Sequence, residues 1–255
     1  MNMCLIFIKK EMVEYYRDKK LFIMFIVFAL VGLISPLIAK LTPIILESVS
    51  TNGAIIKIPT PTEMDSWAQF FKNIGQMGML TLILVFSSQM SHELERGTLI
   101  NLFSKGLSRK AVVMAKFFVG VIIWMTSCIV AFIMTFIYTG YFFDNTIRLD
   151  ILLFALSLPF LFGVLLLSIE LLGGIITGST IGSLSFVGVS ILLQLLLSIK
   201  SDWVTYFPIY LVTNPLDLLK GTSIDVFHTS ILITIILTVI LIPSAVIIMN
   251  NKQIV

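Results

Sequence analysis

Residues 87–118 read SSQMSHELERGTLINLFSKGLSRKAVVMAKFF. His92, Glu93, Glu95, Arg96, Lys105, Arg109, Lys110 and Lys116 all fall within this stretch, in a 255-residue chain that is otherwise sparing with charge. Only 12% of its residues are Asp, Glu, Lys or Arg, 58% are hydrophobic, and the mean hydropathy is +1.05. Soluble domains carry about 25% charged residues. A chain this apolar belongs in a bilayer, and the charged stretch marks a place where it leaves one.

Outward from that stretch the chain is uncharged over long distances. Runs free of Asp, Glu, Lys and Arg cover residues 21–39, 73–92, 117–143, 151–169, 171–199 and 226–251. A hydrocarbon core of about 30 Å takes roughly 20 helical residues at about 1.5 Å each. Each run is long enough to cross. The pattern predicts an all-α polytopic membrane protein with six transmembrane helices over residues 21–249, a leader at 1–20 and a short tail at 250–255. Continuous apolarity argues against a β-barrel, whose strands alternate.

With alternating spans, eleven of the seventeen Lys and Arg residues fall on the side of the N-terminus. The positive-inside rule then places both termini in the cytoplasm, with the protein multi-pass in the cell membrane. This topology accounts for the net charge of +3. No basic stripe with interleaved stacking aromatics points to nucleic acid. Cys4 and Cys128 fall at different levels and are expected to be free thiols.

In the leader, Leu5, Ile8, Met12 and Tyr15 or Tyr16 recur at helical spacing, with Lys9, Glu11, Glu14, Arg17 and Asp18 largely off that stripe. The spacing predicts an amphipathic helix lying on membrane lipid. Residues 40–72 hold Pro43, Asn52-Gly53, Pro59 and Pro61 and read as an outside loop. Residues 200–228 place Trp203, Tyr206, Phe207 and Tyr210 around Pro208 and Pro215, which predicts a broken hairpin of short helices in the outer leaflet. Its aromatics form either an interfacial belt or a gate that meets cargo.

Gly174, Gly178 and Gly182 recur every four residues and suit close packing on one helix face around the fifth span, although Gly173-Gly174 also fits a tight turn. Glu170 stands alone between the runs 151–169 and 171–199. It either marks the cytoplasmic end of the fourth span or meets a basic group on cargo or protein, because an acidic group at membrane depth is costly.

Within the charged stretch, Gly97 is a turn position and Thr98 suits the N-cap of a short helix, TLINLFSK. Leu99, Leu102 and Phe103 at i, i+3 and i+4 would give that helix an apolar face for a soluble partner. Gly106 ends it, and Ser108 caps the next helix ahead of Arg109. Glu93 or Glu95 is expected to pair with a base of the leader such as Arg17.

The string ELERGTLINLFSKGLSRKAVVMAKF, residues 93–117, resembles the cytoplasmic signature of ABC type-2 permeases, the membrane subunits of ATP-driven exporters. Within that family it is similar to the permeases of phenol-soluble-modulin and lantibiotic-immunity exporters. The resemblance implies a cytoplasmic coupling segment at 91–110, in which Glu93, Glu95, Arg96, Gly97 and Thr98 form the turn, residues 98–105 the coupling helix, and Ser108-Arg109 the start of the next span. It also implies a second permease subunit, identical or different, and a separate ATPase subunit that binds ATP and Mg. The expected cargo is amphipathic or hydrophobic, such as a peptide, antimicrobial or toxin.

No catalysis and no cofactor are expected in this chain. It has no G-x-x-x-x-G-K-[ST] phosphate loop, no ligand grouping around His92 or His228, and no evident nucleophile and base. Two alternatives belong to other classes. An ion-gradient-driven secondary transporter would place ionisable groups at the midplane, and a membrane immunity or scaffold protein would bind partners without moving cargo.

Overall fold

The computed structural model describes residues 3–49, 60–95, 97, 99, 103, 106, 108–143, 146–199 and 201–252, and among these every regular element is helical. The leader helix α1 (Met3–Arg17) ends at Lys19, whose φ of 59° turns the chain into α2 (Lys20–Val49). A second crossing is assembled from α3 (Glu63–Asn73), a π-helical turn (Ile74–Gly78), α4 (Met79–Phe86) and α5 (Ser88–Glu95). There follow α6 (Arg109–Phe142), α7 (Leu149–Thr177), α8 (Thr180–Leu197), the 3-10 turn Ser201–Tyr206, α9 (Tyr210–Thr213), α10 (Leu216–Leu219) and α11 (Asp225–Asn251).

Among the described residues, six segments are long and apolar enough to cross a bilayer: Lys20–Ile44, Glu63–Glu95, Arg109–Phe142, Leu149–Thr177, Thr180–Leu197 and Asp225–Asn251. The protein is a multi-pass, all-α membrane protein. Leu192 and Leu196 on α8 and Val239 and Ile240 on α11 stand more than half exposed, as lipid-facing side chains do.

The outside loop expected over 40–72 is much shorter, because both flanking helices extend into it. α2 runs through Pro36 and Pro43, and the second crossing begins at Glu63. Proline at 36 removes the N–H that would reach the Gly32 carbonyl one turn back. The Thr135 hydroxyl of α6 donates to that carbonyl instead, at 3.0 Å. A neighbouring helix thus satisfies the freed group, which is the condition for proline inside a membrane helix. At the start of α3, the Asp65 carboxylate accepts from the Thr62 N–H at 2.8 Å. Glu63 accepts from the Thr146 N–H and hydroxyl and the Ile147 N–H at 2.7, 2.9 and 3.2 Å. Both acids close the N-terminal end of the helix and do not interrupt it.

The core sits where α2, α3, α6 and α7 meet. Trp67 stacks edge-on to Phe70 and tilted on Phe132, and Phe28 meets Trp124 edge-on at 5.3 Å. The Trp124 indole lies over Gly163, where a Cβ would meet it at 2.4 Å, and donates to the Phe160 carbonyl at 3.0 Å.

The three glycines spaced by four do not share a helix face. Gly174 lies in α7, Gly178 forms the turn with φ of 68°, and Gly182 lies in α8. The turn is therefore not at Gly173-Gly174, since α7 continues to Thr177. The broken hairpin is present as expected, as the 3-10 turn, α9 and α10 before the last span.

A Cβ on Gly32 would lie 2.5 Å from the Ala131 carbonyl oxygen and 2.8 Å from the Met134 Cβ. Gly32→Val should lower stability in lipid nanodiscs by about 1–3 kcal/mol through overpacking, whereas Gly188→Ala, which meets nothing within 4 Å, should not destabilise. Equal thermal midpoints for the two variants would disprove the α2–α6 contact.

Candidate functional site

The leader, the end of α5, the start of α6, the α7–α8 turn and the end of α11 gather at one end of the bundle. At their centre is a five-membered ion cluster. Lys10 Nζ lies 3.0 Å from Glu11, 2.7 Å from Glu14 and 2.7 Å from Glu93. Lys116 Nζ lies 2.9 Å from the other Glu11 oxygen and 3.1 Å from Glu93. Glu11, Glu93 and Lys116 are buried. Two helix ends that flank the charged connection, α5 through Glu93 and α6 through Lys116, are thus tied to the leader and to each other.

This arrangement corrects the reading of the leader. Its inward stripe is Phe7, Glu11 and Tyr15, at i, i+4 and i+8, with Ile8 and Met12 half-buried beside it. Glu11 lies on the stripe and not off it, because Lys116 supplies its counter-charge in the interior. α1 packs on protein along this face. The expected pairing of Glu93 with the leader is present, but through Lys10 and not Arg17, while Glu95 is exposed. Lys10 stands one turn above Glu14, so one ammonium serves both acids.

Burial alone would push the Lys10 ammonium down, but its hydrogen bonds to Glu14 and Glu93 and the charges of Glu11 and Glu93 outweigh burial and hold it well above the usual lysine range. Burial likewise raises Glu14, and the Lys10 hydrogen bond and charge bring it below the usual carboxylate range. Glu11, Glu14 and Glu93 have oxygens within 4.8 Å of one another, a spacing that suits a divalent cation. The two ammonium groups already lie against those oxygens.

Around the cluster, the Gln89 amide donates to the Lys116 carbonyl and Lys20 donates to Ser88 at 2.9 Å while standing over the Tyr15 ring. Ser91 and Thr180 share a hydrogen bond of 2.9 Å between α5 and α8.

The charged connection is partly described. Gly97 and Gly106 have φ of 62° and 85°, the left-handed backbone that favours glycine at both ends of a short segment. Leu99 and Phe103 are helical between them. Arg96, Thr98 and Leu102 lie outside the described residues. Leu99 is fully buried in the protein's own core and Phe103 is half-buried against it, so these two do not form the free apolar face expected for a partner. Ser108 caps α6 as expected, accepting from the Ala111 N–H at 3.2 Å.

Arg109 does something the sequence reading missed. It donates to the carbonyls of Met249, Asn250 and Lys252 at 2.7, 2.9 and 2.7 Å and lies over the Phe103 ring at 5.3 Å. Lys252 in turn donates to the carbonyls of Ile175 and Ile176 at the end of α7. Each cation neutralises the negative end of a helix dipole. The only signal in the sequence is a base placed near a helix end, which does not say whose end it caps.

At the opposite end the four aromatics divide. Trp203 and Tyr206 are about half exposed, Phe207 is half-buried, and Tyr210 is buried on Phe227 at 5.0 Å. Gln194 of α8 accepts from the Ile209 N–H at 3.0 Å and ties the broken segment to the fifth span. Gly174 packs against Met90 and Ser91, and Gly182 packs against Thr177. Glu170 lies inside α7 and not at its end, and it is 3% exposed.

These features define a six-span helical membrane protein with an ion-locked end. No protein-family model matches the chain, and no curated protein matches it.

Two outcomes follow for the cluster. Lys116→Met leaves two buried acids facing one cation, and should destabilise by about 3–5 kcal/mol in a nanodisc melt, with the loss partly recovered in Lys116→Met/Glu11→Gln. Strict additivity of the two changes would rule out the coupling. Glu14 contributes above its ordinary value of about 4.3 and is lost as pH falls through its lower folded value, while Lys10 contributes below about 10.4 and is lost as pH rises through its higher folded value. Lys10 is the group that spans α1 and α5, so spin labels on Tyr16→Cys and His92→Cys should keep one distance from neutral pH to about 10 and separate only in stronger base, as the Lys10 ammonium that holds Glu93 is lost.

Proposed function

We propose that this chain is the permease subunit of an ATP-driven exporter of the ABC type-2 class, moving an amphipathic or hydrophobic cargo, such as a peptide, antimicrobial or toxin, out of the cell. The reading begins from the resemblance of residues 93–117. The observation that supports it is mechanical: the segment between Gly97 and Gly106 connects α5 to α6, and the Lys10–Glu93–Lys116–Glu11 cluster ties both of those ends to the leader. A push on that segment moves three helices together. Arg109 passes the displacement to the end of the sixth span and Lys252 to the end of the fourth.

In this proposal the locked end faces the cytoplasm, in line with its basic excess. A separate ATPase subunit, loaded with ATP and Mg, presses on the connection, and closure of the ATPase pair favours one permease conformation by differential binding. A second permease subunit completes the pathway. Leu102 supplies the docking contact, since Leu99 and Phe103 serve the chain's own core. At the outer end, the exposure of the Trp203 and Tyr206 rings supports a contact with cargo there.

The competing reading is a carrier driven by an ion gradient. Glu170, buried inside the fourth span, favours it.

Purification from the native host in mild detergent should recover an ATPase in stoichiometric amount. Leu102→Asp should abolish that recovery while the permease remains inserted and its melting midpoint unchanged. Absence of an ATPase from the intact complex, with transport that collapses with the ion gradient, would replace the exporter with the carrier.

A further inference from the structure

We propose that Glu170 is a proton-binding site, occupied in this conformation, whose proton is released when the α7–α8 hairpin parts from α1 and α5. The inference stands whether the chain is driven by ATP or by a gradient.

Glu170 is placed about 10 Å inside the end of α7, seven residues before Thr177 at about 1.5 Å each. Neither oxygen of its carboxyl group reaches a hydrogen-bond partner, although the residue is 3% exposed. Ser183, the polar group facing it from α8, donates to the Glu170 main-chain carbonyl at 2.8 Å. The hydroxyl therefore serves the backbone. One turn further on, a Cβ at Gly173 would lie 2.8 Å from Phe186 and one at Gly174 would lie 3.4 Å from Met90, so α8 and α5 close on α7 on both sides. The carboxyl has no open route to water.

Among the described residues, the titratable groups on the surrounding elements are engaged elsewhere. From α1, the Tyr15 phenol is itself buried without a hydrogen-bond partner and carries no cation. Beyond Tyr15, Glu11, Glu14 and Glu93 already hold Lys10 and Lys116, and Lys20 is turned to Ser88. α4 and α8 carry no Asp, Glu, Lys, Arg or His, α11 carries Asp225 and His228 at its opposite end, and Lys252 after it is given to the Ile175 and Ile176 carbonyls, while Arg109 of α6 is given to the carbonyls at the end of α11 and His92 and Glu95 of α5 are exposed.

An ionised carboxylate buried without partner or water costs several kcal/mol. The neutral acid avoids most of that cost. A metal cation would need several oxygen ligands, and the Ser183 hydroxyl is already given to the backbone. The chemistry on hand fits a proton. Any state that lets water reach Glu170 makes ionisation cheap again, so opening of this interface carries proton release with it and is favoured by high pH.

Infrared spectra of the protein in phospholipid nanodiscs at neutral pH test the bound proton. The wild-type chain should show a protonated-carboxyl C=O stretch that shifts in D2O and is missing in Glu170→Gln. No such band in the wild type, or a band that persists in the variant, overturns the proposal. Should the variant fail to insert, a dicyclohexylcarbodiimide adduct mapped to Glu170 by mass spectrometry, with loss of the band, assigns it. For the linked movement, spin labels on His92→Cys and Ile181→Cys should separate as pH is raised in the wild-type background and stay together in Glu170→Gln. A distance independent of pH in the wild-type background overturns the linkage.

Discussion

The ammonium of Lys116, almost fully buried at the start of the third span, is the constraint around which one whole end of the protein is organised. A buried cation is tolerable only where opposite charge and hydrogen bonding compensate its lost hydration. Glu11 and Glu93 supply that compensation, and each must come from a different helix. The leader is therefore an integral part of the bundle. Phe7 and Tyr15 are buried on the same face of the leader as Glu11, and Tyr15 rests on Phe86 at 5.4 Å, carrying the packing down into the second span.

The same rule operates along the backbone. In an apolar medium every unpaired carbonyl is expensive, and at three places the protein supplies a side chain from another element. Thr135 serves the carbonyl that Pro36 leaves free, Arg109 serves three carbonyls at the end of the last helix, and Lys252 serves two at the end of the fourth. These contacts join helices that are distant in sequence. They make the bundle a linked body at the end where its charged connection lies.

The membrane class and the six crossings were legible because uncharged runs longer than a bilayer have almost no other explanation. Boundaries were less so. Glu63 and Asp65 look like loop residues by charge, yet three N–H and O–H donors of Thr146 and Ile147 and the Thr62 cap make them helix-starting residues. Glycines spaced by four suggest a shared face only if one helix contains them all, and Gly178 is itself the turn. Helical periodicity in the leader found Ile8, Met12 and Tyr15 but assigned Glu11 to the outside, because hydropathy has no way to represent an acid whose cation arrives from a helix a hundred residues later. Turn chemistry at Gly97, Gly106 and Ser108 was readable for the opposite reason: it is local.

The ion cluster also has a direction in time. The chain emerges leader first, so Lys10, Glu11 and Glu14 reach the membrane surface together, before Glu93 and Lys116. Glu93 follows with the second span, and Lys116 arrives last, entering a membrane where both of its acids are already present. Its charge then meets compensation at the moment of insertion, and the third span need not carry a lone ammonium into lipid. The order of the residues along the chain is in this way an order of assembly, with each newly made charge received by one made earlier.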